Sequence, residues 1–223
     1  MLPIFACLMM CGVQVSVAID AKATPEARAE TRFVVAAADP QVRPTNPDFM
    51  ALSTAVARAL TSQGFEEAKS ADQSNLVVLI DWAVSEPRIV AHHAGGDVGG
   101  PTVSGAAAGT KGMPVGGTTN NASFGFGAEA TDRGDLSYTR TVTIKGVDRA
   151  AYAADPAVKA IWDMTLKSEG DTDNVPTFGP HMVAVAMPYM ASNAGKVKSR
   201  LGSTEDPVKY VRGEIPTLPA KKP

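Results

Sequence analysis

The stretch that decides the fold is ADQSNLVVLIDWAVS, residues Ala71 to Ser85, in which a polar lead-in gives way to an unbroken apolar run from Leu76 to Ile80. A short run of this kind predicts a strand that is buried on both faces. Alternate side chains of a strand point to opposite faces, and the two faces differ here. The more apolar face carries Leu76, Val78, Ile80, Trp82 and Val84, and the other carries Val77, Leu79, Asp81, Ala83 and Ser85.

Composition limits the classes of function that the chain can have. Its 223 residues, 44% hydrophobic and 20% charged, suffice for one globular domain with extensions. A formal net charge of −2 gives no basic excess of the kind that nucleic-acid-binding domains carry, so nucleic acid is not expected as a partner. Both cysteines lie among the first twelve residues, so the folded body has no thiol for a disulfide, a nucleophile or a metal. No cofactor is expected.

The N-terminus is typical of an exported protein. Residues 2–18 carry no charge and are mostly apolar, which predicts a signal peptide over 1–18 with cleavage after Ala18. Residues 19–31 turn to Ala, Glu, Lys and Arg and are predicted to form a mobile tether. The usual positive segment before the apolar run is missing, which favours a translation start upstream of Met1.

Each cysteine offers an alternative to simple secretion, namely a lipid anchor. The segment Ile4-Phe5-Ala6-Cys7 has the aliphatic and small residues that a bacterial lipobox requires before its cysteine. The segment Leu8-Met9-Met10-Cys11 has the aliphatic residue, but bulky Met10 stands where a small residue is expected. Lipidation at Cys7 or Cys11 and free secretion into the periplasm therefore remain alternatives.

The remaining periodicities predict two helices and three further strands. The first helix begins at Asn46-Pro47, a capping residue followed by a proline suited to the first turn, and it ends near Gly64. The second helix is expected to open at Gly179-Pro180 and to kink or break early at Pro188. The other strands are expected at 33–37, 136–144 and 162–169.

These elements predict an α+β fold with a small, mostly antiparallel sheet of about four strands and two helices on one face. The expected order is β-α-β-β-β-α, in a single domain over residues 32–195 followed by a disordered tail over 196–223. Between the second and third strands lies a Gly-rich insertion, residues 92–135, which holds twelve of the 20 glycines. Its composition cannot bury enough apolar surface to offset the entropy of ordering it, so it is expected to be flexible.

Several segments resemble the envelope family known as domain of unknown function 4136, many of whose members are bacterial lipoproteins. They are Ala59-Leu-Thr-Ser-Gln-Gly64-Phe65, the strand after Ala71-Asp72, Arg140-Thr-Val-Thr-Ile-Lys145 and Ile161-Trp162. The resemblance covers roughly residues 32–193 and implies an envelope location and an α+β fold, without an established catalytic activity. The chain departs from the family's pattern in its large insertion and its weak lipobox.

Three motifs suggest chemistry, and each has a simpler explanation. His92-His93, with His181 as the third histidine, suggests a metal, but adjacent side chains in an extended segment point apart. Residues 105–111 resemble a phosphate-binding loop but lack the spacing and the following helix. Asp81 and Asp163 could act as acid and base, and the alternative is that both are polar residues on the less buried sheet face.

The less apolar face of the central strand is predicted to be an interaction surface. Val77, Leu79 and Ala83 would form an apolar strip rimmed by polar side chains, a pattern seen at binding surfaces. The sequence therefore favours a non-catalytic binding or structural domain of the envelope, acting on other envelope proteins or on itself, with a membrane contact through the lipid anchor. The alternative function is an envelope hydrolase or small-ligand enzyme with a site around Asp81 and Asp163.

Overall fold

The computed structural model describes residues 14–29, 31–90, 135–203 and 205–219. These residues form eight strands, four α-helices and three short 3₁₀ turns. The strands are β1 (Gln14–Ala23), β2 (Arg32–Ala37), β3 (Glu66–Glu67), β4 (Leu76–Val84), β5 (Arg88–Val90), β6 (Asp135–Asp148), β7 (Trp162–Gly170) and β8 (Gly195–Gly202), and the helices are α1 (Pro47–Ser62), α2 (Arg149–Ala154), α3 (Val175–Ala186) and α4 (Asp206–Arg212).

The strands form one large mixed sheet, so the prediction of a small, mostly antiparallel, four-stranded sheet is wrong. Seven of the eight strands follow the order β3-β2-β4-β6-β7-β1-β8. Strand β2 pairs in parallel with both β3 and β4. The remaining pairs of this order are antiparallel, namely β4 with β6, β6 with β7, β7 with β1 and β1 with β8. The parallel pair arises because α1 connects β2 to β4, and a helical crossover returns the chain in the same direction.

Helix α1 lies where its sequence signals predict it. The Asn46 side chain accepts hydrogen bonds from the backbone N–H groups of Asp48 and Phe49, at 2.8 and 3.1 Å, which caps the first turn. Gly64 has a φ of +91°, a left-handed conformation that glycine adopts without steric cost after a helix. Strand β4 begins at Leu76 and contains the whole apolar run from Leu76 to Ile80.

The predicted signal peptide and tether are not separate from the folded body, because β1 crosses both. Residues 14–18 belong to the predicted signal peptide and residues 19–23 to the predicted tether, yet they form one strand. Its inward side chains alternate along the strand, and Val17, Ile19 and Ala21 are each at most 2% exposed. Burial of this alternating set explains why the segment is ordered.

The prediction of a disordered tail from residue 196 onward is also wrong over the residues that the structure describes. Strand β8 pairs with β1, and α4 buries Val208 and Val211. The Arg58 guanidinium of α1 donates hydrogen bonds to the carbonyl oxygens of Tyr210 and Ile215, at 3.0 and 3.3 Å. The tail is therefore fixed at both its strand and its helix.

Helix α3 begins earlier than predicted. Asn174 caps it by accepting a 3.1 Å hydrogen bond from the Thr177 N–H, and Pro180 lies inside the helix rather than at its start. Of the two outcomes expected at Pro188, the structure shows the early break, because α3 ends at Ala186 and a 3₁₀ turn, Met187–Tyr189, follows. Asn174 supplied the better start signal, and Gly179-Pro180 obscured it.

One face of the sheet is covered by α1, α3 and α4 and forms the main hydrophobic core. Trp162 lies at its centre with 1% of its surface exposed, directly against Gly146, where any side chain would collide with the indole ring. The buried strand residues of this core include Val17, Ile19, Phe33, Leu76, Val78, Ile80, Val142, Ile144, Met164 and Leu166.

Among the described residues, the opposite face is covered at β2, at β4 and at the Val147 end of β6. Val77 and Leu79 are 8% and 9% exposed and form a small second core with Val147. Partly buried Tyr152, Val158 and Ala160, from α2 and the segment after it, pack against this cluster. The apolar strip predicted to be open is therefore covered at Val77 and Leu79, whereas Ala83 is exposed.

The chain contacts divide the protein into two units, residues 1–88 with 136–223, and residues 89–135. The second unit corresponds to the Gly-rich insertion, and most of it lies outside the described residues. Its predicted flexibility remains a prediction.

We expect substitution by lysine to have graded effects along β4. Ile80→Lys should unfold the domain, because Ile80 is fully buried in the main core and the ammonium group has no partner there. Leu79→Lys should cost about 1–3 kcal/mol, because its cover is thinner and a lysine can extend toward solvent.

Ala83→Lys, on the same face but exposed, is the matched control and should change the free energy of unfolding by less than about 0.5 kcal/mol. Thermal and urea melts of the three variants would measure the series. A Leu79→Lys variant as stable as Ala83→Lys would contradict the packing of α2 over the sheet.

Candidate functional site

The outward side chains of β6, β7, β1 and β8 form the exposed part of the second sheet face, which we call the open face. Strand pairing aligns these side chains in rows that run across the sheet. One row consists of Lys198, Ala18, Lys167, Thr141 and Ala83. The next row consists of Lys196, Asp20, Thr165, Thr143 and Asp81.

A groove crosses the open face at Ala18. Ala18 is exposed, and its direct cross-strand neighbours are the long side chains of Lys167 and Lys198. The methyl group of Ala18 leaves a depression between these two walls, with a volume of about 580 Å³. We call the surface formed by Ser16, Ala18, Lys167 and Lys198 the Ala18 groove.

The groove is rich in positive charge. Along β8, Lys196, Lys198 and Arg200 alternate with inward residues, so all three point to the open face, and all three are exposed. Among the described residues, these three cations and Lys167 have no ion-pair partner within 4.0 Å. An ion pair on this face joins Lys22 to Asp20 at 3.8 Å. A protein with a net charge of −2 therefore concentrates cations at one edge of its sheet.

The two aspartates proposed as an acid and base pair are not brought together. Asp81 lies on β4 and Asp163 on β7, with β6 between them and a diagonal offset of two residues. Strand spacing and rise place their Cα atoms roughly 12 Å apart. Asp163 instead lies opposite Lys145 on one side and Lys22 on the other. This arrangement is an exposed mixed-charge surface without an enclosing cleft.

His181 lies on the opposite side of the sheet from these aspartates. It is 3% exposed within α3, and its Nε2 is 3.2 Å from the carbonyl oxygen of Leu201. Burial lowers the pKa of His181, which favours the neutral ring. No group of three His, Cys, Asp or Glu side chains with metal-binding geometry occurs in the described ranges.

Several sequence motifs lie outside the described residues. They are Cys7 and Cys11, the proposed lipid anchors, together with His92-His93 and the loop over 105–111. Of the predicted interaction face, Val77 and Leu79 belong to the small second core, and Ala83 alone joins the open face.

Sequence reasoning missed the groove because most of its residues were assigned to a signal peptide and a disordered tail. Ser16 and Ala18 lie in the former, and Lys196, Lys198 and Arg200 in the latter, whereas Lys167 lies on a predicted strand. A signal was present, since both segments mostly alternate between apolar inward and polar outward side chains, with Ala18 and Ser199 as exceptions. In β1 the alternation was hidden by the surrounding apolar residues, and in β8 too few apolar residues marked the inner face.

Arg140 is a buried cation on β6. It is 3% exposed and its Nε donates a 2.8 Å hydrogen bond to the Thr172 carbonyl oxygen. Its guanidinium carbon lies 4.9 Å from the centre of the Phe178 ring, and Asp171 is 3.8 Å from Nη2. Burial lowers the pKa of Arg140, although Asp171 opposes that shift. Arg140 thus fastens the turn before α3 to the sheet.

No protein-family model matches this chain, and no curated protein sequence is detectably similar to it. The solved structures that are weakly similar include the following two. A PDZ domain protein from Parabacteroides distasonis has a TM-score of 0.42 and 12% identity, over 86% of this chain and 40% of that chain, so this chain spans less than half of that protein. The PelC dodecamer from Paraburkholderia phytofirmans has a TM-score of 0.38 and 12% identity, over 78% of this chain and 98% of that chain. Likenesses this weak do not assign a function.

None of the helices in the described residues has both the length and the apolar character needed to cross a membrane.

We expect Arg140 and Gly170 to be energetically coupled. A side chain at position 170 would collide with the Arg140 guanidinium, so Gly170→Ala should cost about 1–3 kcal/mol. Arg140→Met should also cost about 1–3 kcal/mol, because Thr172 loses its donor. Met lacks the colliding head group, so the double variant should be more stable than the sum of the two losses predicts.

Urea unfolding of the single and double variants measures this coupling. Purely additive losses would show that the guanidinium does not fill the space beside Gly170.

Proposed function

We propose that this chain is an exported protein of the bacterial cell envelope that binds a partner through its open face and has no catalytic role. The observation that carries this proposal is the asymmetry of the sheet. Among the described residues, three helices cover one face, and a short helix covers the other at β2, β4 and the Val147 end of β6, which leaves a polar, cation-bearing surface over the rest of β6 and over β7, β1 and β8. Exposed surface of this extent, with a groove but no converging acid and base, suits binding better than hydrolysis.

The folding of β1 bears on how export would process the chain. Cleavage after Ala18 would separate Val17 from Ile19, two residues that are buried side by side in the core. It would also remove the part of β1 that pairs with residues 198–202 of β8. We therefore propose processing upstream of Gln14, where Cys7 and Cys11 are the two candidate lipid anchors. The resemblance to the domain of unknown function 4136 family is consistent with this proposal and forms part of it.

Processing can be tested by expressing the chain with a C-terminal tag in bacteria and fractionating the cells. We expect the protein in the envelope fraction, with an intact mass that corresponds to a lipid-modified N-terminus at Cys7 or Cys11. Cys7→Ser and Cys11→Ser, made separately, identify which cysteine carries the lipid and serve as controls for each other. A mature protein that starts at Ile19, or a full-length protein confined to the cytosol, would contradict the proposal.

Binding through the open face can be tested with a photoreactive amino acid placed at Ala18. In intact envelopes, irradiation should produce an adduct of the tagged chain that migrates more slowly on a gel. The same group at Lys159, which is exposed between α2 and β7, is the matched control and should produce none. Equal adduct formation at both positions, or none at either, would refute binding at this face.

A further inference from the structure

We propose that the Ala18 groove binds a linear acidic polysaccharide, whose carboxylates contact Lys198, Lys167 and Arg200. The inference rests on the proposed function, because it specifies the partner of the same open face. It is argued from the spacing of the cations, the position of neighbouring acids and the hydroxyl groups that line the groove.

The cations are spaced for a chain rather than for a single ion. Lys198 and Lys167 flank Ala18 in register, so their Cα atoms lie two strand spacings apart, about 10 Å, and their flexible side chains can meet over the alanine methyl group. Along β8, Arg200 follows Lys198 at a spacing of about 7 Å, and Lys196 precedes it at the same spacing. Successive anionic groups of one polymer can therefore engage successive cations.

The positively charged stripe is too narrow for a flat anionic surface. Asp20 lies directly opposite Lys196, and Glu169 lines the same depression as Ser16 and Lys167. A bilayer of anionic lipids would press both carboxylates against lipid phosphates, which is unfavourable for like charges. Both acids line the groove, and a single flexible chain can place hydroxyl groups, rather than carboxylates, beside them.

Hydroxyl groups and acids around the groove favour a sugar chain over a more highly charged polymer. Thr139 and Ser16 line one depression with Lys167, and Thr165 lines the next one. Each hydroxyl can donate and accept a hydrogen bond, as sugar hydroxyls can. Asp20 and Glu169 can accept hydrogen bonds from sugar hydroxyls. They repel a polymer such as polyphosphate, which carries a negative charge on every repeating unit.

The probe for the test is an oligogalacturonate of defined length, titrated calorimetrically into the full-length chain in a non-ionic detergent. We expect binding at low salt, and its loss in 1 M NaCl, where the screening length falls to about 3 Å. Lys198→Gln and Lys167→Gln should each weaken binding about two- to fivefold, the range expected for contact with one exposed cation. Lys145→Gln makes the same charge change on β6, outside the groove, and should leave the affinity unchanged.

A second variant separates groove shape from charge. Ala18→Leu fills the floor without changing any charge and, because Ala18 is exposed, it should leave the thermal melt intact while weakening binding. Neutral dextran should not bind to the wild-type chain.

The proposal is overturned if oligogalacturonate does not bind at low salt, or if Lys145→Gln weakens binding as much as Lys198→Gln does. It is also overturned if polyphosphate binds more tightly than oligogalacturonate at equal charge. The same holds if phosphatidylglycerol vesicles bind, the groove variants weaken that binding, and oligogalacturonate does not bind. The assay uses purified protein, so its failure would leave the fractionation and cross-linking results of the proposed function unaffected.

Discussion

The insertion of β1 between β7 and β8 is the constraint on which the rest of the structure depends. Strand β1 pairs with β7 over residues 18–23 and with β8 over residues 14–21, and β8 has no other neighbour in the described sheet order. Residues near the two ends of the chain are therefore joined through one strand. Its inward residues, Val17 and Ile19, complete the main core, while its outward residue Ala18 forms the floor of the groove. The same alternation thus serves stability on one face and the candidate binding surface on the other.

The two sheet faces differ because the connections differ in length and composition. Helices α1 and α3 are long enough to bury apolar side chains of every central strand, and α4 packs beside both of them. The connection between β6 and β7 is short, and α2 has only six residues, so among the described residues the cover is limited to Val77, Leu79, Val147 and their partly buried neighbours. Beyond that point the outward residues of β6 and β7 are threonines and charged groups, which require no cover.

Local signals in the sequence predicted the central elements and failed at the ends. The cap at Asn46, the apolar run from Leu76 and the alternation after Leu136 each identified an element, because each signal depends on neighbouring residues alone. The sheet order could not be read in this way, since the pairing of β1 with β7 joins residues about 140 to 150 positions apart. The groove was missed for a related reason: Ala18 and Lys198 are unremarkable in sequence and become neighbours only through the long-range pairing of β1 with β8.

Edge protection explains part of the positive charge on the open face, but not all of it. An edge strand with alternating Lys and Arg resists pairing with another sheet, so Lys196, Lys198 and Arg200 on β8 would be expected even in a protein without a ligand. Lys167 differs, because β7 lies inside the sheet between β6 and β1 and has no free edge to protect. Its side chain borders an exposed alanine and has no ion-pair partner among the described residues. A groove for an anionic chain requires an interior lysine on one side, a small residue at its floor and an edge lysine on the other side. Edge protection alone would not produce this combination.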